Sequence, residues 1–325
     1  MSSTAEAVDP IAACVRNGLS AAQKTLPPWL FYDAAGSSLF EQITELPEYY
    51  LTRTERALFQ QHADEILKGL GQPISIVELG AGTATKTGIL LRAATRLQHD
   101  VLYQPIDVSP SALHEAQRLE AQIAGLTVRA QTANYITENF SVERQAGRGI
   151  LALYIGSSIG NFSPQESRAI LASLREQLEP GDTLLLGADF APGPAKTVAT
   201  LLAAYDDTAG VTAAFNRNIL VRLNRELGSN FVVNEFAHRV RWNAKESRIE
   251  MHLESAKTQS VEIPASSAVE ALRIDFEAGE TIHTENSYKF STSSLETLLA
   301  SAGFLLSRTF QDVDQLYAVS LGTAI

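Results

Sequence analysis

The sequence predicts an α/β fold: a parallel sheet with helices on both faces, carrying a second, α+β domain. Three observations carry this. Helix and strand patterns alternate from about residue 54 to Asp189; the alternation then stops; and the chain ends in a helix, strand, turn, strand pattern. Regular alternation is the mark of a parallel sheet covered on both faces.

In chain order, TRTERALFQQHADEILKGL reads as a helix and ISIVEL, residues 74–79, as a buried strand. TKTGILLRAATRL is a helix, VLYQPID the second strand, and SPSALHEAQRLEAQI a helix that opens on the Ser109 to Pro110 start signal. LTVRAQTA, GILALYIG and DTLLLGAD supply three more strands, with PQESRAILASLREQL as the helix between the last two. Beyond Asp189, FAPGPAKTVATLLAAYDDTAGVTAAFNRNILVRLNREL reads as one or two helices. FAHRVRWNAKESRIEMHLESAKTQSVEI reads as antiparallel strands turning near Asn243 to Glu246. SSLETLLASAGFLLSRTFQDVDQLYAVSLG then completes the sheet with a hairpin. Since structureless loops seldom exceed about 15 residues, the roughly 100 residues after the fifth strand must carry structure of their own. The expected domains are 53–190 with 290–325 for the sheet, and 1–52 with 191–289 for the second domain. A cleft between them would face the carboxyl ends of the strands, where open α/β sheets bind ligands.

Composition narrows the partners. The formal net charge of -11 and the lack of any basic run argue against nucleic acid, whose affinity comes from clustered Lys and Arg. A small or cationic ligand fits better. One cysteine, Cys14, and six scattered histidines give no support for a disulfide framework or a metal site, so no metal is expected. The N-terminus has Asp and Arg where a signal peptide needs an apolar run, and no run approaches the roughly 20 apolar residues of a membrane helix. A monomer in a reducing, cytoplasmic setting, with no membrane partner, is the expectation.

The chemistry concentrates at the strand ends. In VELGAGTATKTGIL, Gly80 and Gly82 let backbone amides approach a ligand ahead of a helix N-terminus, but the third glycine of the dinucleotide fingerprint is Thr85. Glu78 would repel a pyrophosphate and could accept a bond from an ammonium; with Lys86 it suits the zwitterionic methionine end of S-adenosylmethionine. Asp107, ending the second strand, can take both ribose hydroxyls. Asn134 and Tyr135 can read the edge of an adenine and cover its face, and Gly156 allows close backbone approach beside a sulfonium. Singly these residues are common: Lys86 could be a solvated helix residue, and Asp107 a helix cap. Together, at four successive strand ends, they favour the methyl donor over a nucleotide or no cofactor.

Several segments carry a resemblance. WLFYDAAGSSLFEQITELPEYYLTRTE, VELGAGTATKT, IGSSIGNFSP, AYDDTAGVTAAFNRN, RIEMHL and HTENSYKF resemble, in unbroken order, those of the histidine-specific S-adenosylmethionine methyltransferases of ergothioneine biosynthesis. The resemblance implies a Rossmann-like class I methyltransferase sheet with a substrate-binding domain. It also implies trimethylation of the α-amine of L-histidine to hercynine, the first step of ergothioneine synthesis. It assigns Tyr49, Asn161 and Tyr205 to the amino acid's carboxylate, Tyr32 to the amine, Met251 to packing near the side chain, and Glu285 with Ser287 to the imidazole. It gives the donor to Gly80, Lys86, Asp107, Asn134, Tyr135 and Gly156. Asn134 departs from the aspartate of close relatives; its side-chain oxygen still accepts a bond from the adenine amine, without charge assistance. Tyr135 likewise replaces an expected Phe.

Without the resemblance, Tyr32 and Tyr49 read as core aromatics beside Trp29 and Phe31, Asn161 as a turn residue and Glu285 as a solvated strand position. Two rival functions stay open at this point: a methyltransferase of the same fold acting on another amino acid or a histidine derivative, and a non-catalytic binding protein.

Overall fold

The computed structural model describes residues 10–82, 84–265 and 270–325. Residues 1–9 of the expected second domain, and Thr83 of the glycine loop, lie outside the described residues. In chain order the elements are α1 (Pro10–Leu19), β1 (Lys24–Thr25), α2 (Ala34–Thr44), α3 (Tyr50–Lys68), β2 (Ile74–Leu79), α4 (Thr87–Gln98), β3 (Val101–Asp107), α5 (Pro110–Gln122), β4 (Leu126–Val128), β5 (Gln131–Thr132), β6 (Gly149–Tyr154), α6 (Pro164–Glu176), β7 (Thr183–Asp189), α7 (Val198–Ala203), α8 (Val211–Leu227), β8 (Phe236–Asn243), β9 (Arg248–Ser255), β10 (Gln259–Ile263), β11 (Leu272–Phe276), β12 (Thr281–Tyr288), α9 (Thr292–Ser301), β13 (Phe304–Gln311) and β14 (Tyr317–Ala324).

The chain divides into two compact units. Leu51–Lys196 with Tyr288–Ile325 forms one, and the chain up to Tyr50 with Thr197–Ser287 forms the other. The first is a Rossmann-like sheet unit of eight strands in the order β13-β14-β7-β6-β2-β3-β4, with β5 continuing beside β3. β3, β2, β6 and β7 run parallel, and β14 is antiparallel to both β7 and β13. β2, β6 and β7 are buried along their whole length, as strands covered on both faces must be, which is why they read as unbroken apolar runs.

The expected single strand LTVRAQTA is two pieces. β3 pairs with β4 up to Tyr103 opposite Val128 and with β5 from Ile106 opposite Gln131. Pro105 stands between them and has no N–H to give the ladder, so pairing lapses there. Helix starts follow the capping chemistry: Ser109 Oγ accepts from Ala112 N ahead of Pro110, and Ser163 and Glu166 form a capping box on α6.

At the end of β7, Asp189 is fully buried between two buried lysines, with Lys196 Nζ at 2.5 Å and Lys289 Nζ at 2.7 Å. Burial lowers the Lys196 amine to about 8 against the pull of Asp189. Phe190 and Phe290 form a parallel bridge beside this cluster, and Ala191 N donates to Phe290 O at 2.8 Å. The sheet unit therefore extends to Lys196, a few residues beyond the expected boundary.

In the second unit, a sheet of order β1-β12-β9-β8 and the hairpin β10-β11 accompany α1, α2, α7 and α8. The 190–227 segment gives two helices because Asp207 caps α8 anew, its carboxylate accepting from Val211 N at 2.9 Å and Thr212 N at 2.7 Å. Among the described residues no helix is long and apolar enough to cross a membrane, and no cluster of His, Cys, Asp and Glu could hold a metal ion.

Candidate active site

In the sheet unit the expected donor residues gather at the carboxyl ends of β2, β3, β5 and β6. Gly80 leaves β2 with φ +73°, a left-handed conformation open to glycine, and a Cβ there would stand 3.5 Å from the Tyr135 hydroxyl. Asp107 closes β3 with Oδ2 accepting from Gly82 N at 3.2 Å and Oδ1 from Ser109 N at 2.8 Å. Partial burial raises its pKa, and the carboxylate retains acceptor capacity for a diol. The Asn134 side-chain oxygen accepts from Ile136 N at 3.1 Å, an Asx turn that fixes its direction. Tyr135 packs edge-on against Tyr154, with ring centroids 5.8 Å apart, and burial pushes its phenol up to about 12. Gly156 follows β6 with φ +82°, and a Cβ there would lie 3.5 Å from Lys86 Nζ. Two positive-φ glycines, an acid at the second strand end and a cation at the helix start fit an adenosyl amino acid.

Two findings here revise the sequence reading. Glu78 is sealed from solvent: Thr87 Oγ1 donates to it at 2.8 Å, the Tyr103 hydroxyl donates to its other oxygen, and burial raises its pKa to about 8. The expected ammonium acceptor is instead a buried brace joining β2, β3 and the start of α4. The cation at the loop, Lys86, has a partner that the sequence reading missed. Glu55 of α3, fully buried, pairs with Lys86 Nζ, accepts from Gly156 N at 2.8 and 3.1 Å, and accepts from the Tyr317 hydroxyl at 2.7 Å. A signal for it existed: Leu51, Glu55, Leu58 and Phe59 share one buried helical face, and only one of them is an acid.

Asn161 also belongs to the sheet unit, partly exposed at the end of the short turn Ser158–Asn161 that follows Gly156. The other six expected substrate residues belong to the second unit. Tyr205 and Ser287 are buried and joined, hydroxyl to hydroxyl, at 2.9 Å. Tyr49 meets Tyr205 edge to face, 6.2 Å between centroids at 71°. Tyr32, 40% exposed, packs its ring edge-on to Phe40 and Phe215, and Phe40 meets Tyr49 in turn. Glu285 is buried on β12, two residues from Ser287 and so on the same strand face; Met251 is buried on β9, the neighbouring strand.

Behind these lie residues of AYDDTAGVTAAFNRN without assigned roles. Asn218 Nδ2 donates to Asp33 Oδ1 at 2.8 Å, and the same oxygen caps α2 next to Tyr32. Asn216 joins His238 and Thr284.

Comparison with known proteins places the chain in a family. Residues 11–324 match the model of the histidine-specific, SAM-dependent methyltransferase family. The chain is 41% identical over 308 residues to the histidine N-alpha-methyltransferase of Mycolicibacterium smegmatis, covering 94% of this chain and 92% of that protein. It is 39% identical, with the same coverage, to the enzyme of that name from Mycobacterium tuberculosis. It is also 30% identical over 214 residues to ergothioneine biosynthesis protein 1 of Neurospora crassa, covering 63% of this chain and 23% of that protein. With a family match spanning nearly its whole length and donor-type strand ends on its sheet, the chain belongs to the histidine-specific, S-adenosylmethionine-dependent methyltransferases.

Proposed function

We propose that this protein methylates the α-amine of L-histidine three times, forming hercynine for ergothioneine synthesis, with S-adenosylmethionine as co-substrate. The observation that carries the reading is the buried polar wall of Tyr205, Ser287 and Glu285, in a chain that aligns along 94% of its length with a histidine N-alpha-methyltransferase. An imidazole has an N–H to give a carboxylate, so Glu285 with Ser287 selects histidine over an apolar side chain of similar shape, which has no donor to offer.

In this reading the sheet unit holds the donor through Gly80, Lys86, Asp107, Asn134, Tyr135 and Gly156, and residues of the other unit together with Asn161 read the amino acid. Tyr49, Asn161 and Tyr205 take its carboxylate and Met251 packs by its ring. When bound, S-adenosylmethionine supplies a methyl group on a sulfonium. The protein's own task is alignment and loss of the amine proton, because attack on carbon needs a neutral amine. An α-amine titrates near 8, so little base strength is required. Tyr32, exposed at the rim of the aromatic cluster, fits that task directly or through a water that it orients. Tyrosine faces suit the positive charge that grows permanent with methylation, through cation–π attraction of about 0.5–2 kcal/mol. The single cysteine supports a reducing, cytoplasmic setting, and we take the protein to act as a monomer.

Incubation with S-adenosylmethionine and a pool of amino acids, followed by mass spectrometry, should show histidine gaining three methyl groups. Methylation of another amino acid with histidine untouched would sink the substrate reading.

A further inference from the structure

We propose that Asn216, at the centre of AFNRN, is a positioning residue: with His238 and Thr284 it forms a buried hydrogen-bond chain that holds the histidine-reading wall in register. The proposal rests on the reading of that wall as the substrate site. Asn216 is fully buried on α8, and three bonds fix its amide. Its Nδ2 donates to His252 O at 3.1 Å and to His238 Nδ1 at 2.8 Å, and its Oδ1 accepts from Thr284 Oγ1 at 2.8 Å. A carbonyl can only accept, so His252 O fixes which end of the amide is nitrogen. The second N–H then makes His238 Nδ1 an acceptor, which puts the imidazole proton on Nε2. From there it points at Tyr205 O, 2.9 Å away. Burial lowers the pKa of His238, and the charged groups that act on it are the exposed Asp206 carboxylate, 3.9 Å away, with Arg217 and Asp207.

Each end of the chain holds a wall residue from behind. Tyr205 follows α7 in a loop, outside every strand, and His238 fixes its backbone beside the Tyr205 to Ser287 hydroxyl pair. Thr284 precedes Glu285 on β12, so its side chain lies on the face opposite Glu285 and Ser287. Its one proton is shared between Asn216 Oδ1 and Met251 O, the latter at 3.1 Å, so Tyr205 and Glu285 of the wall, and the strand that carries Met251, share one asparagine as support. The strands are already paired through their own backbones; what this chain adds is the relative placement of Tyr205, Glu285 and Met251.

The test compares Thr284→Val, which keeps the shape and removes the hydroxyl, with Thr284→Ser, which restores it, and Asn216→Asp, which reverses the polarity toward His238 and His252. Steady-state kinetics with histidine and calorimetric binding of S-adenosylhomocysteine are measured on each folded variant. Thr284→Val and Asn216→Asp should raise KM for histidine about tenfold or more, with donor-site affinity within about twofold of wild type, and Thr284→Ser should recover most of the loss. A role in stability alone would lower the unfolding midpoint and leave KM unmoved. Unchanged KM in whichever of the two variants folds overturns the positioning role alone. Wild-type protein that does not methylate histidine overturns the reading of the wall and this proposal with it.

Discussion

Replacement of Glu55 by glutamine tests how the donor end of the sheet unit is held together. The carboxylate sits with no solvent exposure between the Lys86 ammonium, the Gly156 amide and the Tyr317 hydroxyl. A glutamine can keep part of these bonds if its amide nitrogen takes the place of Oε1 and the Tyr317 hydroxyl turns to accept from it, although Gly156 N then loses its 2.8 Å acceptor there. The remaining oxygen still faces Lys86 and, at 3.1 Å, Gly156 N. What disappears is the negative charge opposite Lys86. Removing one partner of a fully buried pair costs about 3–5 kcal/mol, but Lys86 keeps 21% of its side chain exposed and can draw on water. The expected loss for Glu55→Gln is therefore smaller, about 1–3 kcal/mol, in the range of a charge-assisted bond reduced to a neutral one. Glu55→Ala also opens a cavity and strands three donors, so it should cost about 3–5 kcal/mol. Urea unfolding at neutral pH, followed by circular dichroism and repeated at high salt, measures both. Little salt dependence is expected for so buried a pair. A Glu55→Gln variant within about 0.5 kcal/mol of wild type would refute the reasoning, as would equal losses in the two variants.

Glu285→Ala should lower kcat/KM for histidine by roughly 10- to 100-fold, the worth of a charge-assisted bond, while calorimetric affinity for S-adenosylhomocysteine stays unchanged; equal losses in both would contradict its role. Asn134→Asp should tighten S-adenosylmethionine binding several-fold by restoring a charged acceptor, and weaker binding by calorimetry would argue against adenine contact at this position. His252, stacked on His283 at 4.8 Å, has its pKa lowered to about 4 by burial and by that neighbour. The folded state then binds fewer protons than the unfolded chain between about pH 6.5 and 4, so stability should be lost as pH falls through that window. Chemical denaturation across it should show less loss in His252→Asn, and an unaltered slope would exclude His252 as a contributor.

The sheet unit is legible in the sequence because its signals are local. Apolar runs ending in Glu78, Asp107 and Asp189, and start signals such as Ser109 before Pro110, need only a few neighbours to be read. The interruption at Pro105 was equally local, and follows once the proline is taken as a missing donor. Glu55 was not legible as a partner of Lys86 and Gly156, because they lie 31 and 101 residues away and only the folded chain joins them. Glu78 shows the converse. Its position beside the loop suggested a ligand contact, but whether a strand-end acid faces ligand or core depends on the hydroxyls of Tyr103 and Thr87. The expected substrate residues were assigned through the family resemblance alone; nothing in the periodicity of TENSYKF marks Glu285 as buried.

The Phe190 to Phe290 bridge has a consequence for how this architecture tolerates change. The sheet unit sees the hundred or so intervening residues as one closed loop, entered and left within hydrogen-bond distance and fastened by Lys196 and Lys289 to the same Asp189. Closing a loop costs free energy that grows only with the logarithm of its length, about 0.6 kcal/mol for each doubling. The strand order of the sheet is thus nearly indifferent to how much chain hangs from that point. The intervening structure could be lengthened, trimmed or exchanged there with the sheet left intact.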